Sequence, residues 1–515
     1  MKQKSRLQHL LRSTVLVMFF FGVSKVTGLI RGNLVAGRFG TGAEFDAFTA
    51  ANQLPELFYV LIAGGALAAA FIPVYANYLA DEETKKSLAL THSTLTLVIL
   101  VLGTIAGVSA IFARPLALVL TPDFSPEQQQ LTAELMRIIL IQTMFFGISG
   151  VLSSYLNANQ HFALPALASV ALDIGYVIGL YLFVPTMGIH GLAWGTVLGG
   201  LMHIAIQVPA LIRYRFSYRP HIDWQLAGVQ EIIRLMGPRI VTLGTIQFAD
   251  LFIIRLTSGL AEGSTSVYFY GFTLMQLPET LFGTAVALVV FPTMAEHFNA
   301  GRIKELKQTA MTALGIIWTL TIPSAVALLL LGESVVVFLL EGGAFTAEST
   351  SRVYTVLLFF SIRIVSEATL EIVARLFYAQ HDTRTPMFAY VGWLIVQVGS
   401  AYALVGWLDV GGLALASTLA FTFLSVLLFV LNWQRLGSLN EWGLGRTAGR
   451  AVVSAGVMAL VLLLVGRFVT SPLVYLAAGV ALGGLAYVAS SYLLGGREIP
   501  QLIVLVRGKT QGESV

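Results

Sequence analysis

A chain of 515 residues that is 56% hydrophobic and 11% charged, with a mean hydropathy of +0.80, is not a soluble globular protein, since such chains carry about 25% charged residues. It has no cysteine, which excludes a disulfide framework, a thiolate nucleophile and a cysteine-based metal site. The net charge of +4 is not a nucleic-acid footprint here, because in a membrane protein a basic excess collects in cytoplasmic loops.

The N-terminal stretch MKQKSRLQHLLRSTVLVMFFFGVSKV has the basic start and apolar run of a signal peptide, but no small-residue cleavage site follows. Lys25 and Arg31 come next, and the apolar pattern continues. The segment reads as a first spanning helix with its N-terminus in the cytoplasm. Windows of about 20 apolar residues fall near 13–36, 45–79, 90–113, 130–157, 163–184, 189–212, 229–259 and 264–297. Six more lie near 308–331, 352–379, 386–407, 410–433, 448–468 and 471–495. The expected fold class is an all-α polytopic membrane protein of about 14 transmembrane helices. On that count the cytoplasmic side holds Lys2, Lys4, Arg6, Arg12, Lys85, Lys86, Arg213, Arg215, Arg219, Arg302, Lys304 and Lys307. It also holds Arg384, Arg435, Arg446, Arg450, Arg497, Arg507 and Lys509, against Arg38, Arg114, Arg352 and Arg467 opposite. The bias supports an even helix count with both termini cytoplasmic.

The second window is broken by Pro55 and Pro73 and carries Asp46, Gln53 and Glu56. An aspartate at mid-membrane costs roughly 2.5 to 3.5 kcal/mol, so such a residue faces a bundle interior or a watery cavity. The plainer reading is a kinked packing helix with one satisfied acid. The centre of this window recurs: Gln53-Leu54-Pro55-Glu56 returns as Gln276-Leu277-Pro278-Glu279, an offset of 223. Pro122–Phe124 falls opposite Gly343-Ala344-Phe345, and Gly191-Leu192-Ala193 returns as Gly412-Leu413-Ala414, both at 221. Gln160-His161 with Pro165 returns as Gln380-His381 with Pro386, at 220 and 221. The repeat is therefore about 220 residues and six helices, in parallel orientation. Expected domains are 1–220, 221–437 and an appended pair of helices with a tail at 438–515.

Two six-helix lobes of like orientation place a cavity between them. Its candidate lining charges are Lys25 and Arg31 on the first helix, Asp46 and Glu56 on the second, Asp250 and Arg255 on the seventh, and Glu279 on the eighth. Several cations suit an anionic head group, because phosphate takes charge-assisted hydrogen bonds. The competing reading makes Lys25–Asp46 and Asp250–Arg255 simple ion pairs. On the tenth helix Arg363, Glu367, Glu371 and Arg375 follow one another at i, i+4 spacing, which favours structural pairing along one face. Asp173 is a lone membrane acid, either hydrogen-bonded within its lobe or an ion site. His161 and His381 fall in matched turns and read as cytoplasmic caps. No P-loop, HExxH or GxSxG motif occurs. Transport is therefore expected to draw on Na+ or H+ gradients, the membrane potential or the substrate gradient, without nucleotide, metal or other cofactor.

The run Ser24-Lys25-Val26-Thr27-Gly28-Leu29-Ile30-Arg31, then Gly40, Asp46-Ala47-Phe48, Ala51, Leu54-Pro55, Gly65-Ala66 and Phe71-Ile72-Pro73, resembles the MurJ/MviN family. The resemblance continues through Leu277-Pro278, Phe291-Pro292, Gly343-Ala344-Phe345 and Thr385-Pro386. It implies a lipid II flippase of the multidrug/oligosaccharidyl-lipid/polysaccharide exporter superfamily, with two six-helix lobes in a V. It also implies that the appended pair helps form a groove for the lipid tail. Departures are specific. The family's first-helix motif of arginine and then Arg-Asp reads Lys25, Arg31 and Gly32 here. A second-helix arginine falls at Tyr59 or Val60, and an acid at Gly64. The eighth-helix arginine and aspartate fall near Phe272 and Thr273. Lys25, Arg31 and Asp46 are the retained charges, with Arg255 one helix away as a substitute. Some relatives bind sodium in the C-terminal lobe; Asp250 matches the acidic ligand, without evident partners around Gln397 and Thr418.

The expectation is a flippase that moves undecaprenyl-pyrophosphate-linked lipid II across the bacterial cytoplasmic membrane by alternating access. It is not an enzyme, and it needs no partner beyond substrate and membrane lipids; a monomer suffices. Lys25, Arg31, Asp46, Gln53 and Arg255 are the expected substrate-binding residues, and Asp250 the ion-coupling acid. Gly28, Pro55 and Pro278 are the expected bend points. The alternatives are an exporter of another lipid-linked glycan of O-antigen or capsule type, a cation-coupled drug antiporter, and a membrane glycosyltransferase. The last would need larger extramembrane loops than this chain has.

Overall fold

The computed structural model describes residues 2–80, 83–437 and 443–496. The tail with Arg497, Arg507 and Lys509, and the side chains of Lys2, Lys4, Arg6 and Arg12, lie outside the described residues. In chain order the helices are α1 (Lys2–Phe39), α2 (Ala43–Phe58), α3 (Gly65–Ala80), α4 (Thr84–Ile111), α5 (Ala113–Leu120), α6 (Pro126–Ala158) and α7 (Ala163–Ile178). There follow α8 (Val184–Met187), α9 (Ile189–Ala205), α10 (Val208–Arg213), α11 (Ala227–Thr257), α12 (Ser264–Pro278) and α13 (Ala285–Asn299). The chain continues through α14 (Ile303–Leu339), α15 (Ala347–Ala379), α16 (Arg384–Leu436), α17 (Leu444–Phe468), α18 (Pro472–Ala478) and α19 (Gly484–Leu493).

Among the described residues eleven helices are long and apolar enough to cross a membrane, so the protein is an all-helical, multi-pass membrane protein. The expected count of fourteen is not reached by this measure. The windows at 13–36 and 352–379, on α1 and α15, fall outside the eleven, and those at 386–407 and 410–433 share α16. Asp409, at φ 51° and ψ −139°, breaks α16 between these two windows.

Backbone geometry makes the repeat explicit. Helices α6 and α15 match residue for residue at an offset of 221. Gly188 and Asp409 share a left-handed φ, 56° and 51°, at the same offset. Gln160 (φ 61°) corresponds to His381 (φ 59°), so the equivalent of His161 is Asp382, and the two Gln-His pairs are out of register by one. The turn bonds decide this: His161 N–H donates to Leu156 O at 2.9 Å, and Asp382 N–H to Phe377 O at 3.0 Å. Both are 6→1 bonds of a Schellman helix ending, which requires the left-handed residue before the donor.

Packing divides the chain after Ser266, into Met1–Ser266 and Val267–Val515. Helix α11, which opens the second repeat in sequence, packs on α3, α2 and α4 of the first unit. The unit of repetition and the unit of packing thus differ by one helix. In the first unit α7, with the π-turn Gly179–Phe183 that follows it, meets α9 through glycines: a Cβ on Gly175 would lie 2.2 Å from Gly199 Cα, and one on Gly179 2.3 Å from Gly195 Cα. Lipid supplies no hydrophobic drive between helices, so such contact rests on small residues that let backbones meet. Core side chains include Phe48, Met136 and Ile139 in one cluster and Phe71, Leu90 and Leu156 in another. In the second unit α17 and α18 pack on α14, and the Tyr487 hydroxyl of α19 donates to Thr319 O at 2.6 Å.

Both copies of the Gln-Leu-Pro-Glu segment lead into a widened helical turn. Residues Tyr59–Ala63 after α2, and Glu279–Thr284 after α12, are π-helical. A proline removes an intrahelical donor, and π-turns are a usual way to absorb such a defect. The outcomes differ. After the first turn Gly64 leaves helical geometry (φ −77°, ψ −145°) before α3 begins, whereas the second turn runs straight into α13. Gly28 lies within α1, whose helical assignment runs through it.

Candidate functional site

Four helical segments of the first unit enclose a cavity of about 260 Å3. Helix spacing places its lining. Asn52, Pro55, Glu56 and Tyr59 follow at i, i+3, i+4 and i+7 through α2 and its π-turn, which puts them on one face. Helix α6 contributes Gln142, Thr143 and Phe146, α7 contributes Leu172 and Tyr176, and α1 contributes Arg31. The Tyr59 and Phe146 rings meet at 4.7 Å between centroids.

Arg31 is the cation of this cavity. Its Nη1 lies 3.1 Å from Asp173 Oδ1, and its guanidinium sits over the Tyr176 ring at 4.6 Å. The Thr27 hydroxyl, one turn earlier on α1, donates to Asp173 Oδ2 at 2.6 Å. Gly28 lies between them, and a Cβ there would stand in ordinary van der Waals contact with Asp173 Oδ2, at 3.8 Å. Asp173 is 5% exposed, and a buried carboxylate is tolerable only when paired and hydrogen-bonded. Of the two readings of Asp173, the hydrogen-bonded one describes what is seen. The Arg31 side chain remains 32% exposed and lines the cavity. Glu56 is exposed and, among the described residues, makes no hydrogen bond or ion pair.

The other expected site residues lie elsewhere. Asp46 is 2% exposed and caps the turn that opens α12. Its Oδ2 accepts from Gly263 N–H at 2.7 Å, and its Oδ1 accepts from Ser266 N–H at 2.7 Å and Ser266 Oγ at 2.5 Å. A carboxylate there satisfies orphan amides and meets the positive end of the helix dipole, so Asp46 is a structural cap and not a wall of the cavity. Arg255 is exposed, and its Nη1 donates to Val119 O at 2.5 Å; it is not among the residues that line this cavity. Lys25, Gln53 and Asp250 are half-buried on α1, α2 and α11 and are not among the residues that line this cavity.

Within the second unit the row on α15 is self-paired. Arg363 Nε donates to Glu367 Oε2 at 2.9 Å and its Nη1 to Ser417 Oγ at 2.7 Å. The guanidinium is also packed among Phe421 (3.9 Å), Phe272 (5.0 Å) and Phe360 (5.5 Å). Arg375 pairs with Glu371. Glu279 is 5% exposed and accepts from the Thr284 hydroxyl at 3.2 Å, an i, i+5 contact that the π-turn creates.

Sequence reasoning passed over Asn52, Gln142, Thr143, Phe146 and Tyr176, because neutral polar and aromatic residues inside spans look like packing. The spacing Gln142–Phe146 on α6 and Asn52–Glu56 on α2 was the available signal.

A family model described as "Lipid II flippase MurJ" matches residues 35–486. A "Probable lipid II flippase MurJ" of Rhizobium tropici is 28% identical over 453 residues, covering 84% of this chain and 83% of that protein. A solved structure of "Lipid II flippase MurJ, inward closed conformation" aligns with a TM-score of 0.80 at 22% identity, over 95% of this chain and 100% of that one. An inward-facing multidrug resistance MATE family transporter of the MOP superfamily aligns with a TM-score of 0.68 at 15% identity, over 83% and 99%. At these identities the two structures speak for the fold alone.

Proposed function

The chain belongs to the lipid II flippase MurJ family, and we propose that it moves lipid II across the bacterial cytoplasmic membrane with Arg31 as the pyrophosphate ligand. The protein acts as a monomer by alternating access, with both termini in the cytoplasm. The observation that carries the site is the Arg31–Asp173 pair at the wall of a polar cavity. With the site empty, Asp173 and the Tyr176 ring hold the guanidinium in place. An entering pyrophosphate offers oxygens in the fork geometry that arginine matches and takes over from Asp173, whose charge Thr27 continues to stabilise. Orienting the cation beforehand lowers the ordering cost of binding. Release reverses the exchange, so the resident carboxylate keeps the substrate from being held too tightly to leave.

Complementation tests this. In a bacterium depleted of its own lipid II flippase, the wild-type chain restores growth, whereas Arg31→Ala, inserted at equal abundance, does not. Full rescue by Arg31→Ala would remove the anion site. Failure of the wild type at normal abundance would redirect the substrate to another lipid-linked glycan.

A further inference from the structure

The cavity contains more than a pyrophosphate needs. Glu56 stands in the same cavity as Arg31 and by itself repels an anion. Asn52, Gln142 and Thr143 line the same space. Thr143 is 1% exposed, and its hydroxyl has no hydrogen-bond partner. A buried hydroxyl left unmatched costs about 1–3 kcal/mol, which calls for a ligand or water to meet it.

We propose that Asn52, Glu56, Gln142 and Thr143 form a saccharide subsite beside Arg31, which takes the sugar joined to the pyrophosphate. The chemistry fits a sugar better than other head groups. An ionised carboxylate is acceptor-only, and vicinal hydroxyls are donors that give it charge-assisted bonds. The Asn52 amide offers a donor and an acceptor, as do sugar hydroxyls and acetamido groups, and the Gln142 amide, already bonded to the Tyr176 side chain, adds its remaining capacity. Tyr59 and Phe146, in contact at 4.7 Å, supply the apolar wall against which a ring's C–H face packs. A volume of about 260 Å3 lies just under the usual ligand-pocket range of ~300–1,000 Å3, room for a ring and not for the whole lipid-linked head group. Glu56 therefore acts as a selector: it penalises a bare anion and is compensated only when hydroxyls arrive with it.

The subsite rests on Arg31 holding the pyrophosphate, so the test separates the two. Full-length protein in lipid nanodiscs is titrated with polyprenyl pyrophosphate, bare and carrying its disaccharide. Glu56→Gln weakens the glycosylated lipid about tenfold, the loss of one hydrogen bond to a charged group, and leaves the bare lipid equal or tighter. Thr143→Val, which removes an unmatched hydroxyl without loss of volume, keeps the folded yield and also weakens the glycosylated lipid selectively. Arg31→Ala weakens both. If Glu56→Gln and Thr143→Val change both lipids alike, or neither, while Arg31→Ala weakens both, the subsite falls and the anion site stands. If Arg31→Ala changes neither, the anion site falls, and the subsite with it.

Discussion

The two repeats use one backbone plan and distribute their charges over opposite helices. At the offset of 221, Gln142, Phe146, Gly150 and Ser154 of α6 correspond to Arg363, Glu367, Glu371 and Arg375 of α15. Asp173 and Tyr176 of α7 correspond to Leu394 and Gln397 of α16. In the first repeat the cation comes from α1, faces a cavity and has one carboxylate partner. In the second it comes from α15 and is enclosed by a carboxylate, a hydroxyl and three aromatic rings. Even the matched Glu56 and Glu279 part company, one exposed to a cavity and the other 5% exposed under a threonine. The lesson is that an arginine inside a membrane bundle marks a ligand site only when its donor fork is left incompletely used. Arg31 meets that condition, and Arg363 does not.

This contrast can be broken most sharply at Arg363. Arg363→Ala leaves Glu367 in a buried setting without its partner and should cost about 3–5 kcal/mol of stability, read as a fall in thermal unfolding temperature of the purified protein. Adding Glu367→Gln recovers part of the loss. A stable Arg363→Ala protein that has lost substrate binding would instead make the second repeat a ligand site. Next in size is Gly179→Leu, which drives a side chain into Gly195 backbone 2.3 Å away and should cost about 3 kcal/mol. The equivalent Ser400 already carries a side chain, whose Oγ lies 3.4 Å from Ala416 O, so Ser400→Ala should change stability by less than about 1 kcal/mol.

Asp173→Asn sharpens the exchange assigned to Arg31. Removing the competing charge should tighten polyprenyl pyrophosphate binding about fivefold, a coupling of about 1 kcal/mol, and weaker binding in a well-folded protein would overturn it. The smallest effect is a difference in acid sensitivity between the matched turns. Burial pushes the Asp382 carboxyl up, but bonds from Thr385 and Arg435, with the Arg435 charge, outweigh this and hold it down at about 2. That stability is present above the unfolded value near 3.9 and is lost as pH falls toward about 2. At the equivalent place, burial and Arg213 lower the His161 imidazole below its ordinary value, so a penalty appears as pH falls through about 6.5. Amide exchange should therefore loosen the 159–162 turn between pH 7 and 5 while the 380–383 turn stays protected, and His161→Gln should abolish the difference.

Much of this was legible in the residues. Hydropathy located the helices because lipid leaves a spanning backbone no partner but itself, and the recurring Gln-Leu-Pro-Glu and Gly-Leu-Ala segments exposed the repeat. Arg31 was singled out because a cation at that depth needs a reason, and the α15 row because i, i+4 spacing is local. What sequence could not supply was partnership across helices. Asp46 and Asp173 look alike as lone acids in apolar windows, yet one caps the turn at Gly263 and Ser266 and the other holds Arg31. The repeat register, off by one at the histidines, followed from left-handed backbone positions that residue identity does not mark. Local spacing and burial tendency belong to the chain itself; which charge meets which depends on contacts between residues more than a hundred positions apart, and those exist only once the helices are packed.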